Sequence, residues 1–390
     1  MSSYRVSVNS LVAFTARAGD LDLRFTPAPS AIEGIAGHQI IRQRRRANYE
    51  SEVRLSGHYP GLEVSGRADG YDPDTNTLEE IKTHRSDLSR IPDNRRAVHW
   101  AQAKMYGWML CQARGLSTIN IAVVYFNILS GEETSEPVCY SAKQLQSFFN
   151  LHSEKFLSWA EQETAHRERR NTSLEAMPFP HATYRTGQRD LAEKVFLAVR
   201  GEQVLLAQAT TGIGKTLATI FPQLKAMGEC KIDRLFFLTA KTPGRQLALD
   251  AIETLRLACY DLQLRVLEHV ARDKACVYPD RACHGESCPL AAGFYDRLPA
   301  ARAEAVTQRW LSHETISAIA SRHSVCPYYL SQELAKWSDV FIGDCNYYFD
   351  MSALMYAYTV INEWRVTVLV DEAHNLVDRA RGMYTAALDS

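Results

Sequence analysis

At 390 residues the chain exceeds what one hydrophobic core usually supports, so two or more domains are expected. Hydrophobic content of 46% and charged content of 23% fit a soluble globular protein, and 44 basic against 45 acidic residues exclude a bulk charge bias, so any nucleic-acid groove must be local. No apolar run approaches the roughly eighteen residues of a membrane span, and the start, MSSYRVSVNS, lacks the apolar region of a secretory signal. Nine cysteines then read as reduced thiols and metal ligands of a cytoplasmic protein, not as disulfides.

The first part of the chain alternates strand-like and helical segments. Residues 62–72 (LEVSGRADGYD) and 78–83 (LEEIKT) are extended runs joined by the turn-rich PDTNT, which predicts a hairpin. Residues 97–113 carry the apolar period of a long helix, and 119–129 (INIAVVYFNIL) read as a buried strand. A helix that turns polar and charged is expected over 143–170, and the proline-bearing NTSLEAMPFPH (171–181) reads as a connector. The expected division is therefore a domain over 1–170, a linker over 171–183, and an α/β domain from 184 to 390. That second domain opens with a helix, a strand at 204–208 (VLLAQ), a Gly-rich loop and another helix. Near its end, VTVLV (366–370) is a short buried strand that runs straight into DEAHN.

The strongest motif is AQATTGIGKTLA, residues 207–218. Gly212 and Gly214 let the backbone aim its N–H groups at phosphate oxygens, and the following helix adds its positive N-terminal end. Lys215 has the reach for the β- and γ-phosphates of a nucleotide, and the Thr216 hydroxyl for Mg²⁺. Ala209 takes the place of the first glycine of the usual phosphate-loop pattern, giving the form AxxGxGKT. In the DEAH stretch, Asp371 is placed to hold Mg²⁺ through water and Glu372 to orient or deprotonate an attacking water. His374 would couple the nucleotide to a nucleic-acid side.

Between these motifs lie Cys276, Cys283, Cys288 and Cys326, spaced C-x6-C-x4-C-x37-C. Zinc-finger ligands come in CxxC-type pairs, which this is not. By spacing alone, tetrahedral zinc and a 4Fe-4S cluster stand about even.

Residues 180–390 resemble the first half of an XPD/DinG-type DNA helicase. The resemblance is carried by ATTGIGKT, the CVYPDRACHGESCP block, CPYYLSQELAKWSDVFIGDCNYYFD and VDEAHN. It implies an ATP-driven, Mg²⁺-dependent 5′ to 3′ motor acting on single-stranded or forked DNA. It also implies that the four cysteines ligate a 4Fe-4S cluster in an insertion at about 270–330. TYRTGQ (183–188) resembles the adenine-reading Q motif, which gives Arg185 and Gln188 that role beside Thr211, Gly212, Gly214, Lys215, Thr216 and Asp371. FFLTAKTPGRQ (236–246) resembles the strand and loop that touch the backbone of a bound strand. Family members continue into a second motor lobe, so the chain is expected to be an N-terminal fragment holding half of the ATP site.

The N-terminal hairpin carries Asp69, Glu80 and Lys82. Residues two apart on a strand point the same way, so Glu80 and Lys82 share a face. Two carboxylates suit Mg²⁺ or Mn²⁺, and a lysine beside them can position water or stabilise charge on phosphate. The pattern GRAD…EEIK resembles PD-(D/E)xK nucleases of the RecB type. That resemblance adds His38 as a further metal ligand, and Gln102 and Tyr106 of QAKMY as contacts to DNA. Arg42, Arg44, Arg45 and Arg46 follow His38 on the same predicted helix, either as phosphate contacts or as a solvated basic face.

The expected fold class is α/β: a restriction-endonuclease-like domain, then an incomplete RecA-like lobe with an iron–sulfur insertion. The expected function is an ATP-dependent DNA helicase coupled to a metal-dependent nuclease in DNA repair or processing. The alternative is a remodelling motor whose nuclease-like domain binds DNA without cutting it.

Overall fold

The computed structural model describes residues 4–24, 28–210, 212–240, 242–350, 353–383 and 385. It is a mixed α/β structure that divides into two compact units, Met1–Glu163 with Asp280–Asp296, and Thr164–Pro279 with Arg297–Ser390.

The elements of the first part are β1 (Tyr4–Ser7), α1 (Val8–Thr15), α2 (Ala31–Arg44), β2 (Glu50–Tyr59), β3 (Leu62–Asp72), β4 (Thr77–His84), α3 (Asp93–Arg114), β5 (Thr118–Asn127), β6 (Glu133–Thr134), β7 (Val138–Ser141) and α4 (Ala142–Ala176). They build a seven-stranded mixed sheet in the order β1-β3-β4-β5-β6, with β2 paired to β3 and β7 to β5. The predicted hairpin is present, with β3 and β4 antiparallel in the register Gly70↔Glu79, while β4 and β5 run parallel.

Alternation along the strands feeds two cores. On one face Leu78, Val123 and Tyr125 pack with Met105, Tyr106 and Met109 of α3. On the other, Ile81, Val124 and Phe126 pack with Ile41 of α2. Helix α2 starts at a capping box, in which Ser30 and Glu33 satisfy each other's backbone donors. Helix α3 stops at Gly115, whose φ of +65° is the left-handed cap that glycine supplies without strain.

The second part contains α5 (Gln188–Arg200), α6 (Lys215–Cys230), β8 (Arg234–Leu238), α7 (Thr242–Ala258), β9 (Val266–Glu268), α8 (Arg272–Ala275), α9 (Phe294–Thr307), β10 (Trp310–Leu311), α10 (His313–Arg322), α11 (Pro327–Leu334), β11 (Val340–Gly343), α12 (Asn346–Phe349), α13 (Leu354–Ile361), β12 (Val366–Val370) and α14 (Leu376–Met383). Its five strands are all parallel, in the order β10-β9-β11-β8-β12. Leu235, Phe237, Val266, Val340 and Ile342 bury against Leu217, Leu224, Met227 and Ile252 of α6 and α7. Near-continuous apolar strands are what a sheet covered on both faces requires.

Two expectations on secondary structure are corrected. Residues 204–208, read as a buried strand, form none, and Val204 and Leu206 are exposed. The run has the composition of a strand, but a strand also needs a partner, and among the described residues β12 pairs with β8 alone. Residues 171–176, read as connector, continue α4, because Leu174 and Met177 are buried in the second core. Residues 280–296, from the middle of the expected insertion, pack with the first unit. There Leu21 donates its N–H to Ala291 O, Leu23 to Cys283 O and Gly293 to Asp20 Oδ1.

Among the described residues, no helix is long and apolar enough to cross a membrane.

Candidate functional site

In the first unit, the hairpin and one flanking helix bring four of the predicted residues together. Asp69 comes from β3, Glu80 and Lys82 from β4, and His38 from α2. Asp69 Oδ2 accepts the Ile81 N–H at 2.7 Å, which fixes its carboxylate across the hairpin. Its other oxygen lies 3.4 Å from His38 Nδ1. Lys82 Nζ donates to Glu80 Oε1 at 2.7 Å. Glu80 is 5% exposed, and its Oε2 is buried without a hydrogen-bond partner. Burial pushes the Glu80 carboxyl up to about 7; the Lys82 charge opposes this and Asp69 reinforces it.

A buried carboxylate oxygen with no donor is costly unless a cation or proton satisfies it. The donor set of Asp69, Glu80 and His38 therefore fits a hard divalent ion in chemistry. Among the described residues, however, no group of three or more His, Cys, Asp or Glu side chains stands in metal-holding geometry. His38 Nδ1 faces Asp69 Oδ1 at 3.4 Å.

Tyr106 sits deeper on α3. Its hydroxyl meets the Arg67 backbone N–H, and a Cβ on Gly66 would come within 2.6 Å of it. This accounts for the glycine of the GRAD pattern. Gln102 is buried and donates to Asn9 Oδ1 at 2.5 Å, so in this structure its amide ties α3 to α1. His99, one helical turn before Gln102, was not singled out from sequence. Burial, with the charges of Lys82, Arg95 and Arg96 adding to it, lowers its ring to about 3, so it lines this region as a neutral imidazole. Its spacing of three and seven residues from Gln102 and Tyr106 was the available signal.

The four arginines after His38 do not share one helix face. Helix α2 ends at Arg44. Arg45 bridges Glu79, at 2.8 Å, and Glu133; Arg44 donates to Gly131 O and Arg46 pairs with Asp74. Arg42 pairs with Glu52.

In the second unit, the phosphate loop enters α6 through Gly212 at φ +89° and Gly214 at φ +78°, conformations that favour glycine. Arg185 donates to Gly212 O at 2.8 Å and the Gln188 amide to Gly214 O at 3.3 Å, so both Q-motif residues brace the loop. Lys215 Nζ donates to Ala209 O at 3.3 Å, and Thr216 is the second residue of α6. Thr211 lies outside the described residues.

At the end of β12, Asp371 donates its N–H to Leu238 O at 2.9 Å. Burial raises its carboxyl, Glu372 adds to that, and the Lys215 charge counteracts it. A Cβ on Gly244 would meet Asp371 Oδ2 at 3.1 Å. Glu372 takes φ +51°, a strained backbone for a non-glycine residue, and its carboxylate lies 3.4 Å from His374 Nδ1. Sequence reading missed Arg379, which bonds Asp344 at 2.6 Å and the Ala240 carbonyl at 3.0 Å, tying the helix after DEAH to the ends of two neighbouring strands.

Cys276, Cys283, Cys288 and Cys326 are all free of disulfides and partly exposed. Cys283 and Cys288 belong to the first unit, and Cys276 and Cys326 to the second.

Residues 241–390 match the DEAD_2 family model. The chain is 26% identical over 186 residues to the regulator of telomere elongation helicase 1 homolog of Anopheles gambiae, an alignment covering 44% of this chain and 18% of that protein. It thus spans less than a fifth of that relative. Among solved structures it is similar to an XPD helicase (TM-score 0.36, 16% identity, 50% of this chain and 34% of that one). It is also similar to a truncated XPD (TM-score 0.34, 19% identity, 48% and 52%). The family match covers residues 241–390, the stretch that ends in β12, the DEAH motif and α14.

Proposed function

We propose that the protein is an ATP-driven DNA helicase of the XPD/DinG type joined to a metal-dependent nuclease, acting in DNA repair or processing. The observation that carries the nuclease half is the partnerless, buried Glu80 Oε2 between Lys82 and Asp69. Asp69, Glu80 and His38 would hold the Mg²⁺ or Mn²⁺, which when bound supplies a Lewis acid for the phosphodiester. Lys82, held 2.7 Å from Glu80 Oε1, would hold the attacking water or the charge that gathers on phosphate. Tyr106 seats α3 on β3 of the hairpin and Gln102 ties it to α1, and both are assigned to DNA by resemblance alone.

The motor half is supported by the braced loop of Gly212, Gly214, Lys215 and Thr216, with Asp371 within reach of the Lys215 charge. In this reading ATP binds there with Mg²⁺, Glu372 acts on the attacking water, and the motor moves 5′ to 3′ on single-stranded or forked DNA. The four cysteines, by the family resemblance, hold a 4Fe-4S cluster.

The test is cleavage of end-labelled single-stranded DNA by the full chain, with ATP binding followed in parallel. The expected result is Mg²⁺- or Mn²⁺-dependent cleavage that survives Lys215→Ala, and nucleotide binding that does not. Arg185→Ala should weaken nucleotide binding roughly tenfold by releasing the loop. Absence of cleavage with every metal, beside intact DNA binding, would instead establish the remodelling motor with a non-cutting DNA-binding domain.

A further inference from the structure

Glu52 is the point at which the β2–β3 ladder breaks. Its neighbours are in register, Ser51 with Gly70 and Val53 with Ala68, but the Glu52–Asp69 step between them is not paired. Glu52 has φ +57°, a conformation that residues with a Cβ rarely adopt. Its carboxylate is gripped from two sides, Oε1 by Arg42 and Oε2 by Arg67. Arg42 lies one helical turn beyond His38 on α2, and Arg67 two residues before Asp69 on β3, so the bracket borders the carboxylate cluster.

Ion pairs at half-exposed positions contribute little to stability, so the fold gains little from this arrangement to offset the strained backbone. Three further features leave the arginines incompletely satisfied by Glu52. Arg42 Nε is buried and has no hydrogen-bond partner, so Glu52 does not saturate that guanidinium. Arg67 is 61% exposed at its side chain, open to solvent on one side. Arg54 stands directly opposite Arg67 in the ladder, a like-charged cross-strand pair that is unfavourable without an anion nearby.

Two guanidiniums converging on one carboxylate present donors for two oxygens that share a single negative charge. A phosphodiester offers the same charge and the same pair of oxygens. We propose that Arg42 and Arg67 form a phosphodiester clamp for a nucleic-acid strand, and that Glu52 is its built-in stand-in, displaced when the strand binds. The proposal rests on the nuclease reading only for what the clamp delivers: it would seat a phosphate beside Asp69 and Glu80. Binding itself is independent of cleavage.

The experiment uses the full chain in EDTA, where metal-dependent cutting is blocked, with a fluorescein-labelled single-stranded oligodeoxynucleotide followed by anisotropy from about 50 to about 200 mM salt. DNA held elsewhere on the chain is common to all variants, so ratios between variants are read. Glu52→Gln should tighten binding roughly three- to tenfold at low salt, since it frees both arginines. Arg42→Ala and Arg67→Ala should each weaken binding roughly tenfold and lower the salt slope by about 0.7. The gain from Glu52→Gln should vanish when both arginines are alanine. Glu52→Gly, which removes the carboxylate and relieves the left-handed backbone together, should show the same gain with an undiminished melting temperature, and it replaces Glu52→Gln if that variant does not fold. Unchanged or weaker binding in the Glu52 variants, with no loss in the arginine variants, overturns the clamp whatever the cleavage assay shows. Tighter binding in a chain that cuts DNA with no metal supports the clamp and overturns only the nuclease reading.

Discussion

Ile81 donates its backbone N–H to Asp69 Oδ2 at 2.7 Å, and that single bond decides which oxygen of Asp69 is available. With Oδ2 anchored to β4, Oδ1 is left facing His38 Nδ1 at 3.4 Å. The carboxylate is thereby oriented by the hairpin itself. The hairpin register, not a flexible loop, sets the geometry of the cluster.

Lys82 touches Glu80 at 2.7 Å and is not a metal donor while charged. Lys82→Ala should therefore keep Mn²⁺ binding within a few-fold while cleavage of single-stranded DNA falls by about two to four orders of magnitude. Asp69→Asn and Glu80→Gln should lose both. Calorimetric Mn²⁺ titration beside the cleavage assay separates these outcomes; full cleavage by Lys82→Ala would move the active site elsewhere.

The raised Glu80 carboxyl gives a pH signature. Its folded value of about 7 lies above the ordinary 4.5, so the metal-free fold holds a proton there that the unfolded chain has released. The contribution of Glu80 to metal-free stability should thus fall as pH rises from about 4.5 through about 7. Metal binding must expel that proton, so Mn²⁺ affinity should rise up to about tenfold per pH unit below about 7 and level off above it. A flat Mn²⁺ affinity between pH of about 5.5 and about 7.5 would remove Glu80 from the ligand set.

Much of this was readable along the chain because the information is local. The β3–β4 hairpin, α3 and the strand before DEAH follow from alternation, periodicity and turn residues within a window of a few residues. The phosphate loop shows as two glycines and a lysine ahead of a helix, and Arg185 and Gln188 brace it from the start of α5. What was not readable depends on distant partners. Residues 204–208 have strand composition, but the sequence does not state that, among the described residues, β12 pairs with β8 alone. Leu174 holds 171–176 in a helix through a core built from residues up to Ile342. The left-handed Glu52 pairs with Arg42 and Arg67, which lie ten residues before it and fifteen after it.

The thiols make a prediction independent of both sites. If Cys276, Cys283, Cys288 and Cys326 hold a 4Fe-4S cluster, protein purified without oxygen should be yellow-brown, with iron and acid-labile sulfide in equal amounts. Serine at any of the four should bleach it, while Cys259→Ser should not. Stoichiometric zinc without sulfide would refute the assignment.

The last prediction concerns what holds the second unit together. Asp339, at the start of β11, is almost fully buried and accepts bonds from Arg170 at 3.0 Å, His166 at 2.9 Å and the Arg265 N–H at 2.8 Å. Burial alone would raise its carboxyl, but Arg170, His166 and Arg234 outweigh that and hold it well below the usual carboxylate range. Arg170 also donates to the carbonyls of Asp233 and Ile232, so one guanidinium joins the end of α4 to two strand entrances. Removing one partner of a buried pair leaves the other charge without compensation, and Arg170→Met should cost ~3–5 kcal/mol at neutral pH. The double change of Arg170→Met with Asp339→Leu should cost less than the single change, because neither member of the pair is then left without the other. Because the folded value of Asp339 lies below its ordinary one, its stabilisation is fully present above about pH 4 and is lost as pH falls through the folded value. In Arg170→Met that order reverses: acidification neutralises the stranded carboxylate, so the deficit against wild type should shrink as pH falls. Chemical denaturation followed by the fluorescence of Trp310, Trp337 and Trp364 reads these changes, and a loss under about 0.5 kcal/mol in Arg170→Met would show that the pair does not support the sheet.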